Sequence, residues 1–189
     1  DSTIKLKNHK IKYNIANNKL KIDGSGKIKI QKNFDDFKYN IDFKDKDFIL
    51  NSQLKVSELK LNSQEYLKKF IPNLKDITTL KDQTIDINFN KKELIAKGKG
   101  KVKFSNEFED IVFRVSKIKN KFDFNTELNL NETLLKIDFL NFEKNPKLKS
   151  QIKILGSYDT KDLLYFKNLS IIDNDNKLII KNIFLDQNN

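Results

Sequence analysis

The sequence predicts an all-β protein, an elongated antiparallel sheet of repeated units with one or two short helices. Three observations carry this reading. The first is an internal repeat. Leu20 to Ile30 and Leu94 to Phe104 are versions of one stretch at an offset of 74, with Leu20 on Leu94, Gly24 on Gly98, Gly26 on Gly100, Lys27 on Lys101 and Lys29 on Lys103. Aligned without a gap, 13–56 and 87–130 share 11 identities in 44 positions. Most of the rest keep their apolar or polar character, so a β-rich unit is present twice. The second is period two. Leu94, Ala96, Gly98, Gly100, Val102 and Phe104 fall on one side of the strand, and Ile95, Lys97, Lys99, Lys101 and Lys103 on the other. That is the pattern of an antiparallel strand with one wet face. The third is a shortage of helix. Each strand has one apolar face, and it must be covered by a second sheet, by the same sheet curled over, or by an apolar ligand.

In chain order, Thr3 to Lys7 and Lys10 to Ala16 read as short strands around a polar turn at Asn8-His9. A turn at Asn17-Asn18 leads into the first glycine strand, where Ile22, Ile28 and Ile30 share the apolar side. Phe37, Tyr39, Ile41 and Phe43 alternate next, and the charged turn Lys44-Asp-Lys-Asp47 leads to Phe48 to Val56. A helical insertion is expected over about 63–71. Ser63 is its expected N-cap, Tyr66, Leu67, Phe70 and Ile71 form an apolar stripe, and Pro72 follows. Its expected role is to plug one end or cover part of the apolar face.

In the second copy Ile85, Ile87 and Phe89 alternate with polar residues, and Val102 and Phe104 close the glycine strand. Ile111, Phe113 and Val115 come next, then Phe122, Phe124, Leu128 and Leu130. Strands are expected at Thr133 to Phe142 and Lys149 to Leu155, and a short helical turn at Asp159 to Lys167. The chain reads last as a hairpin around Asp173-Asn-Asp-Asn176. The whole of 1–189 is read as one elongated segment. The inner-face glycines suggest a bend, a bulge or a close approach by something else, and would leave room along the apolar face.

Several chemistries are excluded or disfavoured. Cysteine is absent, so no disulfide or thiolate metal site exists. His9, the single histidine, has no serine or cysteine at a recognisable spacing and reads as a solvated turn residue. Asp35-Asp36 and Glu109-Asp110 occupy equivalent places in the two copies and read as turn carboxylates. No phosphate loop, zinc pattern or complete calcium loop is present, so no catalytic residue, metal or other cofactor is assigned. The net charge of +11 suits a soluble sheet face or an anionic surface. Nucleic acid is disfavoured, because period two separates lysines from aromatics and arginine occurs only at Arg114. No apolar run reaches the ~20 residues that span a bilayer, and the segment reads as a fragment of a longer chain.

The repeated alternating strands, the Gly-x-Gly strand followed by a polar turn and an aromatic strand, and the hairpin at 169–185 resemble AsmA-like proteins, in particular the YhdP and TamB branch. The resemblance covers about 10–185. It implies a taco-like curved sheet whose groove carries phospholipid between the inner and outer membranes. It also implies a periplasmic location, with an inner-membrane anchor outside this segment. The groove would be lined by Ile22, Ile28, Ile30, Phe37, Tyr39, Ile41, Ile87 and Phe89, and by Val102, Phe104, Ile111, Phe113, Val115, Phe124, Leu128 and Leu130. The alternative is a β-sandwich repeat, a structural or adhesive module of a secreted or surface protein.

Overall fold

The computed structural model describes residues 5–17, 19–44, 47–159, 163–173 and 176–186. Eleven strands form one open antiparallel sheet in the order in which the chain makes them. They are β1 (Lys5–Ala16), β2 (Lys19–Lys29), β3 (Phe34–Lys44), β4 (Asp47–Asn62), β5 (Ile77–Asn90), β6 (Leu94–Lys103), β7 (Glu109–Ile118), β8 (Lys121–Leu130), β11 (Ser150–Asp159), β12 (Leu163–Asp173) and β13 (Asn176–Asp186). A separate hairpin, β9 (Leu135–Ile137) with β10 (Phe142–Lys144), interrupts the meander between β8 and β11. Short connections place sequence neighbours side by side, the low-entropy way to order a sheet. Among the described residues the second sheet is this two-stranded hairpin alone, too small to face an eleven-stranded sheet as a sandwich of repeats would.

The register keeps every apolar side on one face. One row runs Tyr39–Ser52–Ile87–Ala96–Val115–Phe124 across six strands. A neighbouring row runs Phe37–Leu54–Ile85–Gly98–Phe113–Thr126. A one-residue slip anywhere would turn lysines onto this face, so the alternation itself specifies the register.

The repeat continues further upstream than its identities suggest. β1 and β5 carry matching bulges, between Lys7 and Lys10 and between Lys81 and Thr84. In each bulge a residue takes a left-handed conformation, Asn8 at φ 53° and Asp82 at φ 50°. Asn and Asp tolerate that region better than other side chains. The two short strands expected around Asn8-His9 are therefore one bulged strand.

Local expectations change in three further places. The 63–71 insertion is a 3-10 turn over Glu65–Lys69, not an α-helix, with Gln64 at its N-cap and no side-chain cap. Ser63 instead donates its amide to Asp76 O at 2.8 Å and shares a hydroxyl bond with Thr78 at 2.7 Å. The stretch expected as a strand at Thr133 to Phe142 breaks at a 3-10 turn, Asp138–Leu140, followed by Asn141 at φ 49°. The helical turn expected over Asp159 to Lys167 is absent where described: Asp159 ends β11 and Leu163 begins β12, while 160–162 lie outside the described residues. The turns expected at Asn17-Asn18, at 44–47 and at 173–176 also include residues outside the description.

The densest packing sits at one end of the sheet. The loops 63–76 and 131–149 fold over it and bury Ile71, Leu74, Leu135 and Ile137 against Leu130, Ile152 and Ile171. Leu67 and Phe70 pack on this cluster, while Tyr66 stays exposed. Two backbone bonds tie the loops down, Lys136 N–H to Phe70 O at 2.8 Å and Lys75 N–H to Phe104 O at 2.9 Å.

Candidate functional site

Beyond that capped end the apolar face has no cover among the described residues. Ile22, Ile28, Phe37, Tyr39, Ile41, Ile87, Ile111, Phe113, Val115 and Phe124 are half-buried, shielded by their neighbours in the sheet, whereas Leu128, also half-buried, packs on the capped cluster. Phe89 is more open, at 39% exposure, and meets Phe48 edge-on with centroids 5.5 Å apart. Phe48 also contacts Phe43, giving an aromatic row at the uncapped end.

Four expected lining residues stand elsewhere. Val102 and Leu130 are each 1% exposed and belong to the core, because the end of the face they occupy is closed. Phe104 lies past the end of β6 and packs against the same cluster. Ile30 lies past the end of β2 and is exposed.

The glycines are not vacant space. Gly24 is directly opposite Tyr39, and Gly98 directly opposite Phe113, at equivalent places in the two copies. A Cβ on either glycine would overlap the opposing ring. Gly156 repeats the arrangement with Phe124, whose Cζ would stand 2.7 Å from such a Cβ. The second glycine of each pair receives the bulge: His9 Cα would be 2.8 Å from a Cβ on Gly26, and Asp82 O 2.9 Å from one on Gly100. Aromatic rings and bulge side chains therefore fill what the sequence suggested was clearance, and they smooth the face.

The bulge residues are equivalent too. His9 donates or accepts at Tyr39 Oη over 3.0 Å and stacks on that ring. Gln83, its counterpart, is 1% exposed and donates to Lys81 O and Lys101 O at 3.0 and 2.8 Å. His9 is thus half-buried in a strand and engaged with tyrosine, not a solvated turn residue.

The paired carboxylates hold backbone. Asp35 accepts from Ser57 N–H and Oγ–H, both at 2.8 Å. Glu109, 1% exposed, accepts from the amides of Asn131, Glu132 and Thr133 at 2.9, 2.8 and 3.0 Å, and from Thr133 Oγ–H at 3.1 Å. Beside it Lys144 is wholly buried and donates to the carbonyls of Asn131, Thr133 and Asn145 at 3.0–3.2 Å. Burial pushes the Lys144 ammonium below its usual range, and the field of Glu109 opposes that shift. The two charges pin the cap by its backbone and leave no reactive group free.

The opposite face is polar and bonded to itself. Gln53 donates to Asp86 at 2.9 Å, Asn88 to Asn51 at 2.7 Å, and Asn40 to Asp23 at 3.0 Å. One concavity there, about 470 Å³, is a shallow depression among Lys38, Asn40, Asn51, Gln53, Asp86 and Lys97. Among the described residues no group of three or more His, Asp or Glu side chains could hold a metal ion. No helix of the described residues is long and apolar enough to cross a membrane. The chain matches no protein-family model, no curated protein and no solved structure.

Proposed function

We propose that this sheet is a segment of a bridge-like lipid-transport protein, in which phospholipid acyl chains lie along the open apolar face and pass between the inner and outer membranes of a bacterial envelope. The observation that supports this reading is the apolar face, which among the described residues is capped at one end and otherwise uncovered. Eleven strands at ~4.8 Å spacing carry it ~50 Å from edge to edge. Acyl chains contact Ile, Val and Phe without directional demand, and each methylene contributes only ~0.8 kcal/mol. A lipid is then held by many weak contacts and trapped by none. The periplasmic setting and a membrane anchor outside this segment belong to the same proposal and rest on the resemblance to AsmA-like proteins.

The test is native mass spectrometry with lipid extraction on the protein purified from a bacterial host. Ile87→Glu is the informative variant, because Ile87 lies on the open face between Ser52 and Ala96 and touches no part of the cap. Co-purifying phospholipid is expected, and is lost in Ile87→Glu while the β-sheet circular dichroism persists. Lys97→Glu, on the polar face, should load normally. A stably folded wild type that carries no lipid refutes the proposal in favour of a structural module.

A further inference from the structure

The repeat builds one surface device twice. On the polar face, near the capped end, Lys7 and Lys29 place their ammonium groups 5.9 and 6.0 Å from the centroid of the Phe34 ring. Lys81 and Lys103 do the same to Phe108, at 5.5 and 5.3 Å. All three residues of the first cluster map onto the second at the offset of 74. The ion pair beside each cluster is duplicated as well, Lys27 with Asp36 at 3.1 Å and Lys101 with Asp110 at 3.8 Å. Among the described residues, the four lysines over the rings have no carboxylate partner of this kind. Their positive charge is therefore uncompensated, whereas Lys27 and Lys101 are locally neutralised.

Phe34 is 38% exposed on the wet face. The ring has no polar tip to solvate, and two ammonium groups lie over it. Clusters four strands apart lie ~19 Å from each other, since the strand spacing is ~4.8 Å.

We infer that the Lys7–Phe34–Lys29 and Lys81–Phe108–Lys103 clusters are a paired docking site for an anionic phospholipid bilayer. Charge complementarity supplies the attraction, since the clusters carry unpaired lysines on a chain of net charge +11. Lysines near such a surface each add attraction that falls within a Debye length, and a phenylalanine ring adds apolar burial at the boundary between headgroups and acyl chains. Two anchors ~19 Å apart fix an orientation that one anchor would not. Single-stranded nucleic acid fits less well: ammonium groups already lie over the rings that bases would stack on, and arginine is absent from both clusters. The site is on the face opposite the apolar trough and does not depend on what the trough holds.

The test is flotation with two kinds of vesicle, pure phosphatidylcholine and equal parts phosphatidylcholine and phosphatidylglycerol. The wild type should bind only the anionic vesicles. K7Q/K29Q/K81Q/K103Q should weaken that binding several-hundred-fold, at about fivefold per lysine. A control with equal loss of charge, K12Q/K38Q/K97Q/K99Q, removes lysines from elsewhere on the same face and should weaken it far less. F34S/F108S keeps every charge and should lose the part of binding that survives raised salt. Circular dichroism checks that each variant stays folded. Equal loss in the two lysine quartets would overturn the inference, as diffuse charge would then suffice. So would equal binding to neutral vesicles, or an affinity for single-stranded DNA that falls in the first quartet while vesicle binding does not.

Discussion

Replacing Glu109 by alanine tests whether the cap is held by the buried carboxylate. The substitution removes four hydrogen bonds at once. Thr133 N–H and Oγ–H are buried and would be left without an acceptor, at about 1–3 kcal/mol each. The amides of Asn131 and Glu132 are only partly buried, so water can replace much of what they lose. Lys144 would also lose the opposing charge that offsets its burial. The sum is about 3–5 kcal/mol, most of it from the buried donors left without an acceptor. Asp35→Ala is the internal control. It is buried at the equivalent place in the first copy but accepts only from Ser57, whose own exposure lets water replace the lost partner, so about 1–2 kcal/mol is expected. At about 2–4 °C per kcal/mol for a chain of this size, Glu109→Ala should melt on the order of 10 °C below the wild type. Asp35→Ala should melt about 5 °C below it. Urea unfolding with a constant m-value would give the free energies directly. A cost below about 1 kcal/mol for Glu109→Ala, or one no larger than that of Asp35→Ala, would refute the assignment of the cap to this carboxylate.

Lys144→Met leaves the carbonyls of Asn131, Thr133 and Asn145 without their shared donor and should destabilise the protein by about 2–3 kcal/mol at neutral pH. The folded-state pKa of this lysine is depressed, so the unfolded chain holds the proton more tightly. Stability from this group therefore rises with pH in the window just below 10.5, and urea midpoints should show the deficit of the Met variant growing there. Gly98→Ala drives a methyl group into the Phe113 ring, so it should cost on the order of 2 kcal/mol by thermal melting, with partial recovery in Gly98→Ala/Phe113→Leu. An undiminished loss in the double variant would show that the ring is not the obstacle. Amide exchange should be fastest in β1 and β13, which have an unpaired edge, and slowest in the middle strands β4 to β6. Equal protection in β1 would mean that its edge is covered in solution.

Strand identity and the face of each side chain were legible from local pattern. Lys97, Lys99 and Lys101 against Ala96, Gly98 and Gly100 leave one choice of face, and short connections then leave one choice of neighbour. The 74-residue offset was legible too, but only where side chains are conserved in type. His9 and Gln83 have no likeness in the alphabet, although each sits in a left-handed bulge beside the second glycine of its copy. Leu6-Lys7 and Leu80-Lys81, just upstream, held the signal that extends the repeat and completes the two lysine–phenylalanine clusters.

Periodicity therefore determined the all-β class, the wet and apolar faces and the duplication, since these depend on residues two apart or on self-similarity along the chain. Only the tertiary structure decided which part of the apolar face stays open. The closed end is made by two segments, 63–76 and 131–149, far apart in sequence and without a shared period, that meet over Leu130, Ile152 and Ile171. A buried lysine at 144 has no signature of its own, because its burial is tolerable only where three carbonyls and the Glu109 carboxylate already converge. The glycines likewise read as gaps until the register set Tyr39 and Phe113 directly across from them, since a missing side chain in one strand is filled only by what its neighbour supplies.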